Sequence, residues 1–421
     1  MNRDDGMYSF ELSGRDGIYT IEWPNLHVQA RVDRIRESHD HDVKGEVSLT
    51  SSRPTSAGHL RQGRILLTSP ASRKTMAKAL EERDSEVDWD QVMEQLCVAV
   101  LQHYRAGSAE VQVTGDMDVA AQAKWLIEPI VQLHNPSLLF GPGSTGKSWF
   151  AQYMAVLADH GMSASGLGVE PSTVLYLDWE TDQAEIGSRI TMIRRGLGLE
   201  GVSHIWYKAM HQGLDSDIET IRTIVVNRGI TFVILDSLGS ACMGEPESAE
   251  VVLRMFGALR SLGVSSLCVD HTNKEGHLFG SVYKFNASRQ IFEIKKHQEP
   301  DDDKLVFGLF HRKANNSKVV RDMGFELNFS PGRVAFERKD VRDTSLEEHM
   351  RLADRIESLL RRGPVTATDL AETLEKSETH IRKELSEGTR RGKFIRLEDG
   401  SHRYANRVWK SEEEEAQSWR L

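Results

Sequence analysis

Eight residues limit the fold of this chain more than any other stretch. Gly141-Pro142-Gly143-Ser144-Thr145-Gly146-Lys147-Ser148 matches the pattern G-x-x-x-x-G-K-[ST]. The glycines let the backbone curl so that several N–H groups face phosphate oxygens. A helix opening at the end of the loop adds a favourable dipole. Lys147 is placed to reach the β and γ phosphates, and the Ser148 hydroxyl to ligate Mg²⁺. Gly141, Gly143, Ser144, Thr145, Gly146, Lys147 and Ser148 are therefore the expected ATP-binding residues, with Mg²⁺ as companion ion. Such a loop needs a strand before it and a helix behind it, and the apolar patterns at 137–140 and 146–160 supply both.

The same alternation continues on both sides of the loop. Strands are expected at 174–178, 204–208, 232–236 and 264–270, and helices at 183–196, 215–227 and 247–261, the signature of a parallel sheet covered by helices. After about 285 the helices stop, and 289–294, 305–310, 324–329 and 333–337 read as antiparallel strands. A magnesium site also needs a carboxylate at the end of a buried strand. Four apolar residues precede Asp236, so it should emerge at the carboxyl edge of the sheet beside the phosphate loop. Hydrolysis further needs a group that orients or deprotonates water, and Asp178 or Glu180 at the end of the 174–178 strand fits that need.

Over roughly 125–338 these motifs resemble the RecA-like ATPases, and within them the plasmid RepA-type hexameric helicases. The resemblance implies that Glu180 is the catalytic base. It implies that His271, in Val269-Asp270-His271-Thr272-Asn273-Lys274, senses the γ-phosphate or couples it to DNA; a strand-terminal histidine bonded to backbone is the plainer alternative. It also implies a basic residue inserted into a neighbour's site. His311-Arg312-Lys313-Ala314-Asn315-Asn316 offers Lys313, with Asn315 where many relatives carry Arg, and Arg312 as a substitute. DNA would pass through a ring of six subunits and touch the 239–246 and 272–286 stretches, with Lys274, Lys284 and Arg289 as candidate contacts.

The flanks differ in kind. Residues 1–124 read as β-rich to about 72, with strands near 17–23, 26–32 and 45–49, then helical over 70–106, with no recognisable chemistry. A polar linker is expected at 339–346. Residues 347–410 pattern as helix, helix, helix and hairpin, with Ser377 capping the third helix, and resemble a winged helix-turn-helix. Segment 379–410 holds nine Lys or Arg against four acids. Arg382, Lys383, Arg390, Arg391 and Arg403 thus form a candidate phosphate footprint for single-stranded or duplex DNA, although such domains also bind protein partners. Residues 411–421 form an acidic tail.

Composition sets the outer bounds. A chain of 421 residues has room for several domains, and 39% apolar with 28% charged residues suits folded soluble ones. No run of eighteen apolar residues predicts a membrane span, and the opening Met1-Asn2-Arg3-Asp4-Asp5 lacks the apolar core of a signal peptide. Cys97, Cys242 and Cys268 have no metal-ligand spacing and read as reduced thiols of a cytoplasmic protein. A net charge of −10 argues against a globally electropositive nucleic-acid coat, so basic surfaces must be local. The expectation is an ATP-dependent DNA helicase or translocase, with a DNA-binding loader or regulator as the alternative. A small-molecule kinase would leave the second carboxylate strand and the C-terminal unit without a role.

Overall fold

The computed structural model describes residues 8–407, apart from 16, 55–57, 108–111, 113–123, 246, 274, 277, 281, 298–302, 316 and 398–399. The acidic tail and Lys274 lie outside the described residues. Among the described residues, no helix is long and apolar enough to cross a membrane.

The N-terminal unit is an antiparallel sheet in sequence order: β1 (Glu11–Arg15), β2 (Ile18–Trp23), β3 (Val28–Glu37), β4 (Val43–Ser51) and β5 (His59–Leu66). Alternation in β2 to β4 places Ile21, Trp23, Ala30, Val32, Val47 and Leu49 on one face. Two helices, α1 (Pro70–Glu81) and α2 (Trp89–Ala106), cover that face with Met76, Leu80, Val92, Met93, Leu96 and Val100. The helical stretch expected over 70–106 is broken because Asp88 caps a second helix, its side chain accepting from Gln91 N. The edge strands β1 and β5 were not legible, since neither alternates cleanly. Across the core, the Trp23 indole donates to Gln95 Oε1 at 3.0 Å.

The central unit follows in chain order as β6 (Trp125–Glu128), β7 (Val131–Gln132), β8 (Pro136–Gly141), α3 (Lys147–His160), β9 (Gly168–Val169), β10 (Val174–Asp178), α4 (Gln183–Gly196), β11 (Trp206–Ala209), α5 (Leu214–Arg228), β12 (Phe232–Asp236), α6 (Leu238–Cys242), α7 (Ala249–Arg260), β13 (Ser265–His271) and α8 (Val282–Ala287). Four more strands follow: β14 (Gln290–His297), β15 (Lys304–Ala314), β16 (Met323–Ser330) and β17 (Arg333–Lys339). One nine-stranded sheet runs β11-β10-β12-β13-β8-β14-β15-β16-β17, and β7-β6-β9 form a small separate sheet. The mixed α/β class expected from the sequence is what forms.

One expectation needs correction. The 289–294 stretch is not antiparallel to the core: β14 pairs parallel with β8 and antiparallel only with β15. The cause is α8, a helix inside the stretch read as a loop, which carries the chain back across the sheet end before β14 starts. Helices cover both faces. Phe150, Tyr153 and Met154 of α3 pack with Phe292, Phe307 and Phe325 on one, and Ile221, Val225, Met255 and Phe256 of α5 and α7 pack with Val233, Leu235 and Cys268 on the other. The helix α4 reaches out to β17, where a Cβ at Gly196 would sit 1.7 Å from Val334 O. Only glycine permits that approach.

The C-terminal unit begins after two 3₁₀ turns, Val341–Asp343 and Ser345–His349. It comprises α9 (Leu352–Arg362), β18 (Val365–Thr366), α10 (Ala367–Thr373), α11 (Glu378–Arg390), β19 (Phe394–Arg396) and β20 (Arg403–Asn406), with strand order β18-β20-β19. Ile356, Leu360, Leu370, Ile381, Leu385 and Phe394 make its core. Ser377 caps α11, its hydroxyl accepting from His380 N. The unit is tied to the central sheet by an Arg321–Glu357 ion pair at 3.1 Å and by Arg351 donating to His311 O at 2.6 Å.

Candidate nucleotide site

Parallel register brings the site together. Asp178 of β10 lies level with Asp236 of β12, and His271 of β13 level with Gly141 of β8. Four strands therefore end on one edge, at the start of α3. Ser144 (φ 57°) and Gly146 (φ 87°) take left-handed backbone, which curls the loop into a concave row of N–H groups. Thr145 Oγ1 donates to Pro142 O at 2.9 Å, and Lys147 Nζ donates to Gly141 O at 3.0 Å and Pro142 O at 2.7 Å. Burial lowers the affinity of Lys147 for its proton, and the nearby Asp236, Glu180 and Asp270 charges oppose that shift. Gly141 is required for another reason as well. A Cβ there would lie 2.3 Å from Ile294 O of β14.

Asp236 is almost fully buried and accepts a 2.6 Å hydrogen bond from the Tyr176 hydroxyl and another from Ser148. Burial raises its pKa, while these two bonds pull the other way. A hydroxyl and a carboxylate meeting behind a phosphate loop form the hard-oxygen donor set that Mg²⁺ takes. The residues present thus fit the ion: Ser148 and Asp236 would hold it, and the loop N–H groups with Lys147 would hold the triphosphate. When bound, the ion neutralises charge on the β and γ phosphate oxygens.

Of the two carboxylates left open by the sequence, Asp178 is fully committed. It accepts from Glu180 N at 3.0 Å, Thr181 N at 3.2 Å, Thr181 Oγ1 at 2.6 Å and the Tyr207 hydroxyl at 3.2 Å. Its work is to turn the chain so that Glu180 faces the site. Glu180 Oε1 lies 3.3 Å from His271 Nε2. The hydrogen bond from His271 holds the Glu180 carboxyl at about 2, helped by Ser237 and by the Lys147 charge against its partial burial. The carboxylate is therefore ionised throughout the neutral range. Tyr176 escaped sequence reasoning because it sits in an otherwise apolar strand, where the signal was a hydroxyl two positions before Asp178; Tyr207 lies in a short edge strand with no acid at its end.

Other expected residues fall elsewhere. Lys284 is corrected: it is fully buried on α8, its ammonium 2.8 Å from Asp270 Oδ2, so it has no surface to offer DNA. Arg312 pairs with Glu293 at 2.7 Å. Lys313 Nζ donates to the carbonyls of Phe285 (2.7 Å), Asn286 (3.2 Å) and Ser288 (3.0 Å) at the end of α8. Within one chain, both candidates for insertion into a neighbour are thus engaged, while Arg289 beside them is exposed. On α11, Lys383 and Arg390 are exposed, and Arg382 and Arg391 pair with Glu378 and Glu387 one turn away. Arg403 is half-buried, with Nε on Ser401 Oγ at 2.9 Å.

Comparison with known proteins agrees on the central unit. A family model described as an AAA domain matches residues 102–277. Over that range the chain is similar to AAA-type ATPase domains, and the match spans the phosphate loop, Asp178, Asp236 and His271. A solved KaiC-like protein of Pyrococcus horikoshii is 18% identical and covers 50% of this chain and 93% of its own, at a TM-score of 0.37. At that score the likeness is loose, and the fold rests on the strand order of the nine-stranded sheet itself. A ribosomal protein L11 methyltransferase of Marinobacter nauticus is 28% identical over 142 residues, 33% of this chain and 47% of that protein. The chain thus spans about half the length of that curated relative.

Proposed function

We propose that the chain is an ATP-dependent DNA helicase or translocase of the RepA-like hexameric type, hydrolysing ATP between subunits to move on single-stranded DNA. The observation that carries the reading is the Glu180–His271 pair. It joins the ends of β10 and β13 beside the phosphate loop, and the 272–281 stretch leaves directly from His271. A histidine shared by the hydrolytic carboxylate and a surface loop can pass the state of the γ-phosphate to whatever the loop touches. Glu180 orients the attacking water, Lys147 and the loop amides carry the growing phosphate charge, and Ser148 with Asp236 hold Mg²⁺. The C-terminal unit, read as a winged helix-turn-helix, presents Lys383 and Arg390 from α11 as a second, duplex-type contact.

A second reading has a specific observation in its favour. Arg312 and Lys313 are both occupied within their own chain, which suits an ATPase that works without a ring and acts through the C-terminal unit as a loader or regulator. Steady-state hydrolysis with and without single-stranded DNA separates the two, beside Lys147→Ala and Glu180→Gln. The helicase reading expects strong stimulation by single strands. Glu180→Gln should lose about 10²–10⁴-fold in kcat while still binding nucleotide, and Lys147→Ala should lose binding as well. Hydrolysis indifferent to single strands would move the assignment to the regulator.

A further inference from the structure

Behind the nucleotide site lies a buried ion pair. Asp270 and Lys284 are 1% and 0% exposed, and their ion pair links the end of β13 to α8 across fourteen residues. A buried pair of this kind is weak ground for stability, because desolvating two charges offsets most of their attraction. Its value must be sought in what it joins.

Both Asp270 oxygens are assigned. Oδ1 accepts from the backbone N–H of His271 at 2.9 Å, and Oδ2 accepts from Lys284 Nζ at 2.8 Å. One carboxylate thus fixes the residue that meets Glu180 and also the helix that follows the 272–281 stretch. The connection does not end there. The carbonyls of Phe285, Asn286 and Ser288 at the far end of α8 are held by Lys313, next to Arg312 on β15. Ser288 Oγ closes the turn onto Lys284 O at 3.0 Å. The exposed Val282 and Tyr283 ride on the same helix.

We infer that Asp270 and Lys284 are positioning residues that make α8 follow the γ-phosphate end of the nucleotide site. A shift of His271 on loss of the γ-phosphate changes its backbone N–H and moves the Asp270 carboxylate. Lys284 moves with that carboxylate, which is the acidic partner of its ammonium among the described residues. The helix then carries its exposed first turn outward and its last carbonyls against Lys313. The inference rests on the nucleotide site and not on the helicase reading.

Amide hydrogen exchange on the full chain with Mg²⁺ tests it, comparing ADP with a slowly hydrolysed ATP analogue. In the wild type, peptides covering 282–288 should exchange at rates differing about fivefold or more between the two nucleotides, the low end of couplings between distinct sites. The variant Asp270→Asn/Lys284→Met removes both charges while an amide oxygen still accepts from His271. It should keep nucleotide protection at 141–148 and lose the difference at 282–288. Lys284→Arg, which keeps the charge, should retain it. A wild type whose 282–288 segment ignores the γ-phosphate overturns the inference, whatever the variants do. So does a double variant in which that segment still distinguishes the nucleotides. Failure of stimulation by DNA would sink the helicase reading and leave this result untouched.

Discussion

Asp322 precedes β16 with no side-chain hydrogen-bond partner for its carboxylate, and burial pushes its pKa up to about 6. Arg351 and Arg312 pull it down and Asp354 adds to the rise. A carboxyl raised in the fold costs stability once ionised, so the cost is fully present above pH 6 and disappears as the pH falls from there towards 4. Asp322→Asn should therefore stabilise the protein at pH 7.5 by up to about 3 kcal/mol. Thermal unfolding at pH 7.5 and pH 4.5 checks this: the variant should lead at the higher pH and the gap should close at the lower. An equal gap at both would show that ionisation is not the cause. His311 has the opposite sign. Burial holds it down to about 4, and its ring is fixed by Val320 N, Gln290 and Lys313 O and stacked on Phe292. Its stabilising effect is complete above its unfolded value of 6.5 and is lost as pH falls through about 4. In the wild type the two residues offset each other, so Asp322→Asn should also expose an acid-side loss that the wild type hides.

At the scale of elements, a close approach that falls on glycine decides how the C-terminal unit packs. Gly388 of α11 faces Phe394 of β19, and a Cβ there would lie 2.1 Å from the ring. Gly388→Ala should push the hairpin off the helix, costing about 1–3 kcal/mol in the C-terminal unit. Limited proteolysis should show that unit cleaved faster, with ATP hydrolysis in the absence of nucleic acid unchanged. Ser377→Ala removes the cap of α11 and should cost about 1 kcal/mol without altering packing. Helix α8 marks where reading by period fails. Six residues are too few to show a helical repeat, so the segment read as loop and Lys284 read as exposed. The strands of the parallel core were legible because each is a short apolar run between turn signals, with a helix of clear period behind it.

Over the whole molecule, basic surface is local. The chain is acidic at −10, yet the described part of the C-terminal unit carries exposed Lys383, Arg390 and Arg391. If these residues meet phosphates, Lys383→Glu/Arg390→Glu should weaken binding to any DNA sequence and lower the salt slope of log K by about 2. Basal hydrolysis should stay as it was. Titration of DNA affinity against salt decides, and an unchanged slope would leave that unit to a protein partner. Assembly is testable at the same scale. A ring with sites between subunits predicts hydrolysis per chain that rises with protein concentration, in step with mass measured by sedimentation. A rate independent of concentration in a monomer would fit the regulator.

The sequence by itself determined the parts whose chemistry is local. The phosphate loop needs its glycines, lysine and serine in one continuous run, and Asp236 follows four apolar residues that can only be a buried strand. Tertiary structure decided everything that depends on which strands are neighbours. It committed Asp178 to hydrogen bonds from Thr181 and Tyr207, which leaves Glu180 as the proposed base, and it brought His271 to Glu180 from ninety-one residues away. It buried Lys284 against Asp270, turning a candidate surface cation into part of the interior. The reason is physical. Spacing along a chain reports the period of an element, while a hydrogen bond between elements depends on sheet order and register, which only the folded core sets.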